Sequence, residues 1–209
     1  MKKKHWYDYL YIYTPIYLAL GFFNITFAWL GLIEFFIPLI IAIVGGNKSF
    51  CNHYCARGQL FDVLGRKCKL SLNRKPPKFL LSVWFRYAFL AFFMSMFILM
   101  IVNTVQVFYG TGSFKQAVTL LWVFRLPWEF AYVNTNLPLW VSQFAFGMYS
   151  VMFTSAVLGF ITMVLFRPRS WCAYCPMGTM TQGICKLRKG MTEHGRKSKT
   201  IVSHTENHL

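Results

Sequence analysis

The sequence predicts an all-α integral membrane protein with about four transmembrane helices and two cytoplasmic cysteine loops, and three observations carry that reading. Charged residues make up only 13% of the chain, against 56% hydrophobic and 19% aromatic, about half the charge with which a soluble domain coats its surface. The charges are segregated: Tyr9 to Gly45 carries Glu34 alone, while Tyr87 to Phe114 and Phe130 to Phe166 carry none. All six cysteines fall outside those stretches, in two groups that each follow an apolar run. Disorder is excluded because 22 Phe, 11 Tyr and 7 Trp demand burial. A net charge of +16 would suggest nucleic acid only if it were spread over a soluble folded surface, so no nucleic-acid partner is expected.

Residues 1–8 read as a basic N-terminus in which Lys2, Lys3 and Lys4 lead into the first apolar run. No small-residue cleavage site precedes the continuation of that run, so the start reads as an uncleaved anchor. As one helix, residues 9–45 would be roughly 55 Å long, too long for a hydrocarbon core of about 30 Å. A transmembrane hairpin is expected instead, broken between Gly21 and Gly31 around Asn24, with helices near Tyr9 to Phe23 and Ala28 to Val44. Residues 46–82 form cysteine loop 1, residues 83–107 transmembrane helix 3, and residues 139–166 transmembrane helix 4. Between those helices, residues 108–138 read as an external interfacial segment holding Lys115, Arg125 and Glu129 among Pro127, Pro138 and tryptophans. An amphipathic helix lying in the interface is the favoured form, with a segment that dips in and returns as the alternative. Arg125 and Glu129, four residues apart, would pair on such a helix. Residues 167–190 form cysteine loop 2. Residues 191–209, with His194, His204 and His208, read as a basic mobile tail able to touch anionic lipid.

Lysine and arginine set the orientation. Lys2, Lys3 and Lys4, the eight from Lys48 to Lys78, and the eight from Arg167 to Lys199 place 19 of the 22 basic residues on one side of a four-span arrangement. Cytoplasmic flanks carry the basic excess, so a multi-pass protein of the cell inner membrane is expected, with both termini and both cysteine loops inside.

Cys51, Cys55 and Cys68 lie in the first loop and Cys172, Cys175 and Cys185 in the second. Clustered thiols in a reducing compartment bind metal or act in redox catalysis more often than they form disulfides. The two sets repeat one another. Gly58 follows Cys55 by three residues as Gly178 follows Cys175, and Cys68 and Cys185 each begin Cys-Lys-Leu. A close pair of thiolates grips two corners of an iron–sulfur cube, and the glycine admits backbone amides to the sulfides. Short helices beginning near Leu60 and Met180 would aim positive partial charge at the site. Arg57, Lys69, Lys186 and Arg188 would further favour thiolate.

Cys51-x3-Cys55 and Cys172-x2-Cys175-Pro176-Met177-Gly178, each directly after an apolar span, resemble the membrane 4Fe-4S binding family with paired Cys-x3-Cys-Pro motifs. That family is related to the membrane parts of the nitrous-oxide-reductase maturation regulator and of the quinol-oxidising subunit of periplasmic nitrate reduction. The resemblance runs from about Gly45 to Gly190 and implies a [4Fe-4S] cluster at the cytoplasmic face. The chain departs from the pattern in three ways: Ala56 stands where the first proline would be, the second pair is one residue shorter, and no ferredoxin-type cysteine run is present after it.

Two fully cysteine-ligated cubanes need more thiols than the chain has, so one cluster on Cys51, Cys55, Cys172 and Cys175 is the economical set. Cys68 and Cys185 are then spare, as free thiols or as further ligands in a three-plus-three arrangement in which His53 is a candidate. The expected function is membrane-bound iron–sulfur electron transfer, with single electrons passing between a soluble donor and a membrane acceptor as one component of an oxidoreductase system. The basic loops suit a soluble acidic electron carrier, and the spans suit lipid and a membrane redox partner. The alternatives are a membrane thiol-disulfide or soft-metal-handling protein and an assembly subunit with structural zinc. Glu34, three residues past Gly31, reads as a solvated carboxylate at the outer turn. No Walker, Rossmann or hydrolase signature occurs.

Overall fold

A computed structural model describes residues 6–45, 51, 54–121, 124–127, 131–133 and 136–188. The fold is mostly helical, and Ile25–Gly45, Val83–Phe108 and Leu139–Leu165 are long and apolar enough to cross a membrane. A further apolar helix, Tyr9–Phe23, is shorter. Its α-helical part is α1 (Tyr13–Phe23), entered through a three-ten segment, Trp6–Ile12. A second three-ten segment, Ile25–Trp29, leads into α2 (Leu30–Gly45). Then come α3 (Ala56–Arg66), the single turn α4 (Lys78–Leu81), α5 (Val83–Phe108), the strands β1 (Ala117–Leu120) and β2 (Phe124–Pro127), and α6 (Leu139–Leu165). The described chain ends in α7, residues 176–188.

Asn24 makes the break in the first apolar run. Its extended backbone ends α1, and its side chain accepts a hydrogen bond from the Thr26 N–H at 3.0 Å, the local competition that makes asparagine a turn former. The turn is tied to the far segment of the chain. Tyr132 N–H donates to the Phe23 carbonyl at 2.9 Å, and Ile25 N–H donates to the Tyr132 carbonyl at 3.4 Å. At the other end the Trp6–Ile12 segment lies against α3, so α1 runs between the hairpin end and the cysteine end of the molecule.

α6 is the hub. Just over half of its membrane-length window is buried (56%), against 22% and 17% for the Ile25–Gly45 and Val83–Phe108 helices. It packs on α5, on Ile25–Trp29, on β1 and on α3. Small residues set its close approaches: a Cβ added at Gly159 would stand 2.4 Å from the Phe61 ring and 3.3 Å from Trp171. Both rings are buried and cannot retreat. Gly159→Ala is therefore expected to cost about 1–3 kcal/mol by overpacking. Gly183→Ala on α7, where an added Cβ meets nothing, should be neutral or stabilise by about 0.5–1 kcal/mol. Thermal unfolding of the two variants in detergent checks both, and equal midpoints would show that α3 is not held by this contact.

The segment between α5 and α6 is not the amphipathic helix that its composition favours. β1 and β2 form an antiparallel hairpin with Thr119 opposite Arg125. Arg125, expected to pair with Glu129 on a helix, therefore sits on a strand. Glu129 itself lies outside the described residues. The backbone is satisfied by α6: Thr119 N–H donates to Ser150 Oγ at 3.0 Å and its carbonyl accepts from the Thr154 hydroxyl at 3.4 Å. Such partners let non-helical backbone exist inside a helical bundle.

Candidate metal centre

Each cysteine loop feeds a helix that starts directly after its second cysteine. Cys55 is the N-cap of α3, and its Sγ accepts from the Gly58 N–H at 3.4 Å. α7 starts at Pro176, where a missing N–H costs nothing. There the Cys175 carbonyl accepts from the Thr179 N–H at 2.9 Å, and the Met177 and Gly178 amides reach the Cys175 thiol. The helices expected to start near Leu60 and Met180 thus begin about one turn earlier. Their unpaired first-turn amides face sulfur.

The first cysteines complete the group from the side. Cys172 lies in a three-ten turn, Ser170–Ala173. A Cβ added at Gly58 would be 3.6 Å from both Cys55 Sγ and Cys172 Sγ, so this glycine leaves open the space between thiols of different loops. Cys51 Sγ is 3.7 Å from the buried Thr181 hydroxyl on α7. The four thiols feel one another: Cys172 and Cys175 act on Cys55, Cys175 and Cys51 on Cys172, and Cys51 on Cys175. Burial first, and then these neighbours, push the Cys55 and Cys172 thiols up to about 12 and the Cys175 thiol upward as well. Protons therefore leave this group only when another cation takes their place.

Cys68 and Cys185 do not share an environment. Cys68 is exposed beyond the end of α3, whereas Cys185 is buried on α7. His53 lies outside the described residues. Of the cations expected near the thiols, Lys69 and Lys186 are exposed. Arg188 reaches back across the molecule to donate to the Ile43 and Val44 carbonyls at 2.5 Å each, closing the C-terminus of α2 as a cation does well. Arg57 and Arg169 are the cations that work against the thiol shifts, at Cys175 and Cys172 respectively. Sequence reasoning misses Arg169, although its place three residues before Cys172 is the available signal.

Glu34 is not a solvated carboxylate at the outer turn. It pairs with Arg57 at 3.0 Å, with side-chain exposures of 15% and 12%. Arg57 also bonds the Ser155 hydroxyl of α6. Burial works against the Arg57 charge, but Glu34 and the thiols of Cys55 and Cys175 outweigh it and raise its pKa above the ordinary value. The pair thus clamps the start of α3 to α2 and α6.

Aromatic rings wall the second loop. Phe89 packs edge-on to Trp171 and Tyr174, at 5.7 and 5.1 Å between centroids, and Phe85 meets Tyr174 at 5.5 Å. A cavity of about 60 Å3 lined by Phe93, Trp171, Met177 and Met180 adjoins Cys175. Those walls shield the Cys175 side of the site from water, which helps set a cluster's potential, whereas Cys172 is exposed.

These residues fit a four-thiolate cluster. Arg57 Nε is buried without a hydrogen-bond partner among the described residues, beside thiols whose charge it feels, and Gly58 keeps a cradle open between two of them. Among the described residues no three His, Cys, Asp or Glu side chains stand close enough together to hold a metal ion by themselves. No curated protein and no solved structure matches the chain. Residues 27–76 and 150–192 match a sequence family described as a 4Fe-4S binding domain, a coarser likeness than one to the maturation regulator or the nitrate-reduction subunit. The two matched stretches carry both cysteine pairs and the apolar helices leading into them, and the cofactor they bring to this chain is a [4Fe-4S] cluster.

Proposed function

We propose that the protein is a membrane-bound electron carrier whose single cluster is held by Cys51, Cys55, Cys172 and Cys175 at the cytoplasmic face of the inner membrane. The observation that carries this is the convergence of thiols from two loops at one end of the helical bundle, with helix N-termini aimed at Cys55 and Cys175. A bound [4Fe-4S] cluster supplies one-electron redox chemistry without a proton or a group to transfer. The chain's own residues bind it, pack Trp171, Tyr174, Phe85 and Phe89 against its Cys175 side, and hold positive charge near it through Arg57 and Arg169. The kinship with the maturation regulator and the nitrate-reduction subunit belongs to this reading, as does a membrane redox partner for the second electron step.

The four-span topology rests on length and charge. At rises of about 2.0 Å per three-ten and 1.5 Å per α-helical residue, Trp6 to Phe23 reaches about 30 Å, enough to cross the hydrocarbon core. The basic excess then lies on the cysteine side.

Anaerobic purification with iron, sulfide and zinc quantification tests the cluster. About four irons and four sulfides per chain are expected for one cubane, and stoichiometric zinc with little iron would sink the proposal. The donor is tested separately. Lys67, Lys69, Arg74, Lys75 and Lys78 are all exposed in the stretch from the end of α3 to the start of α4, a field that attracts an acidic carrier. Stopped-flow reduction by chemically reduced acidic ferredoxin is expected to slow steeply with ionic strength. Lys67→Glu with Lys69→Glu should slow it about tenfold or more at low salt without loss of iron. A rate indifferent to salt and to these reversals would assign the donor to a quinol or an integral partner.

A further inference from the structure

A cavity of about 550 Å3 lies between α5, α6 and the hairpin, on the face of the bundle away from the cysteines. The strand β1 descends along α6 to form one wall. Lys115 N–H donates to Gln143 Oε1 at 3.1 Å, Thr119 N–H to Ser150 Oγ at 3.0 Å, and the Thr154 hydroxyl to the Thr119 carbonyl at 3.4 Å. From the start of α6 at Leu139 to Thr154 the helix advances about 22 Å. The hairpin therefore reaches the depth of the hydrocarbon core of a bilayer that α6 crosses.

Arg125 stands opposite Thr119 in the hairpin register and lines this cavity. An ionisable side chain at such depth is costly and faces a polar cavity or a partner. Lys115 also lines it, with the amides of Asn103, Gln116 and Gln143, and none of the described lining residues is acidic. Neither Arg125 nor the Lys115 ammonium makes an ion pair among the described residues. Two cations, several amide donors and a volume of small-ligand size make a recess for negative charge.

We propose that this cavity binds an oxyanion, a phosphate or carboxylate group, with the planar fork of Arg125 taking two of its oxygens and Lys115 supplying a second charge at the mouth. The group is that of an acidic lipid headgroup or of a free soluble anion, and the site is independent of the cluster.

The full chain, with its cluster, is reconstituted in phosphatidylcholine nanodiscs, and its unfolding midpoint is followed by tryptophan fluorescence. One arm adds inorganic phosphate, with chloride at matched ionic strength as its control, and the other replaces part of the lipid by phosphatidylglycerol. A rise with phosphate but not chloride identifies a soluble oxyanion, and a rise with phosphatidylglycerol alone identifies the headgroup. In either case Arg125→Gln is expected to raise the half-saturating concentration about tenfold or more, the scale of one charge-assisted hydrogen bond, and Arg125→Lys and Lys115→Gln by less. Should Arg125→Gln not fold, Arg125→Lys and Lys115→Gln carry the test. No rise in either arm, a chloride effect equal to that of phosphate, or wild-type responses in the folded variants would overturn the site.

Discussion

Cys55→Ser and Cys172→Ser, although in different loops, are each expected to strip the protein of nearly all its iron. Cys55 opens α3 and Cys172 lies in the turn before α7, yet a Cβ added to one glycine, Gly58, would stand 3.6 Å from both sulfurs. A serine hydroxyl in either place offers a poor thiolate substitute in a group whose thiols already resist ionisation through burial. Groups that only support a metal ligand cost about 10- to 100-fold in affinity when lost, so loss of a ligand should exceed about a hundredfold. Cys68→Ser, at an exposed position beyond α3, should keep the cluster. Cys185→Ala should lose only packing, about 1 kcal/mol. Iron per chain and visible absorbance after anaerobic purification read all four variants. A cluster that survives loss of either loop's pair would mean that the loops do not share one site.

Arg57→Met should lower stability by about 3–5 kcal/mol, because it leaves Glu34 charged and buried without its partner. Glu34→Gln should cost a comparable amount by orphaning the guanidinium. The double variant separates the pair from its surroundings: with both charges gone, most of the loss should return, since a neutral pair carries no such desolvation penalty. Thermal unfolding in detergent gives the cycle. If the losses simply add, the two side chains do not act on one another, and the clamp between α2, α3 and α6 is not electrostatic. Both single variants should also lose iron more readily, because Arg57 stands two residues after Cys55.

The long apolar helices are legible because nothing else in a low-charge sequence explains such runs, and the break at Asn24 is legible because asparagine between glycines offers the chain a local alternative to the helix. The helix starts after Cys55 and Cys175 are foreshadowed by Gly58 and by Pro176. The repeat of span, cysteine pair, glycine and Cys-Lys-Leu makes the two loops equivalent, which is what allows a shared site to be read at all. The hairpin is hidden for a local reason: its turn places Leu121 at φ +51°, where glycine or asparagine would advertise it. Its supports, Ser150 and Thr154, also sit inside an apolar run. The Glu34–Arg57 pair joins a span to a loop, so neither periodicity nor charge counting can bring its members together. Arg188 shows the same limit, since a cation near a cysteine loop in sequence is in fact occupied at the end of α2.

The division of the proposed ligands between the two loops has a consequence for biosynthesis. A ribosome making this chain delivers Cys51 and Cys55 first, then two spans and the hairpin, and only afterwards Cys172 and Cys175. Until the last pair emerges there is half a nest, on a loop whose partner helices have not been inserted. On that division of ligands, a cluster in its finished setting would be loaded only once Cys172 and Cys175 have emerged. A chain interrupted before Cys172, or one whose α6 is threaded the wrong way, presents two lone thiols to the delivery machinery, and possession of the cluster becomes a certificate that the whole topology was completed.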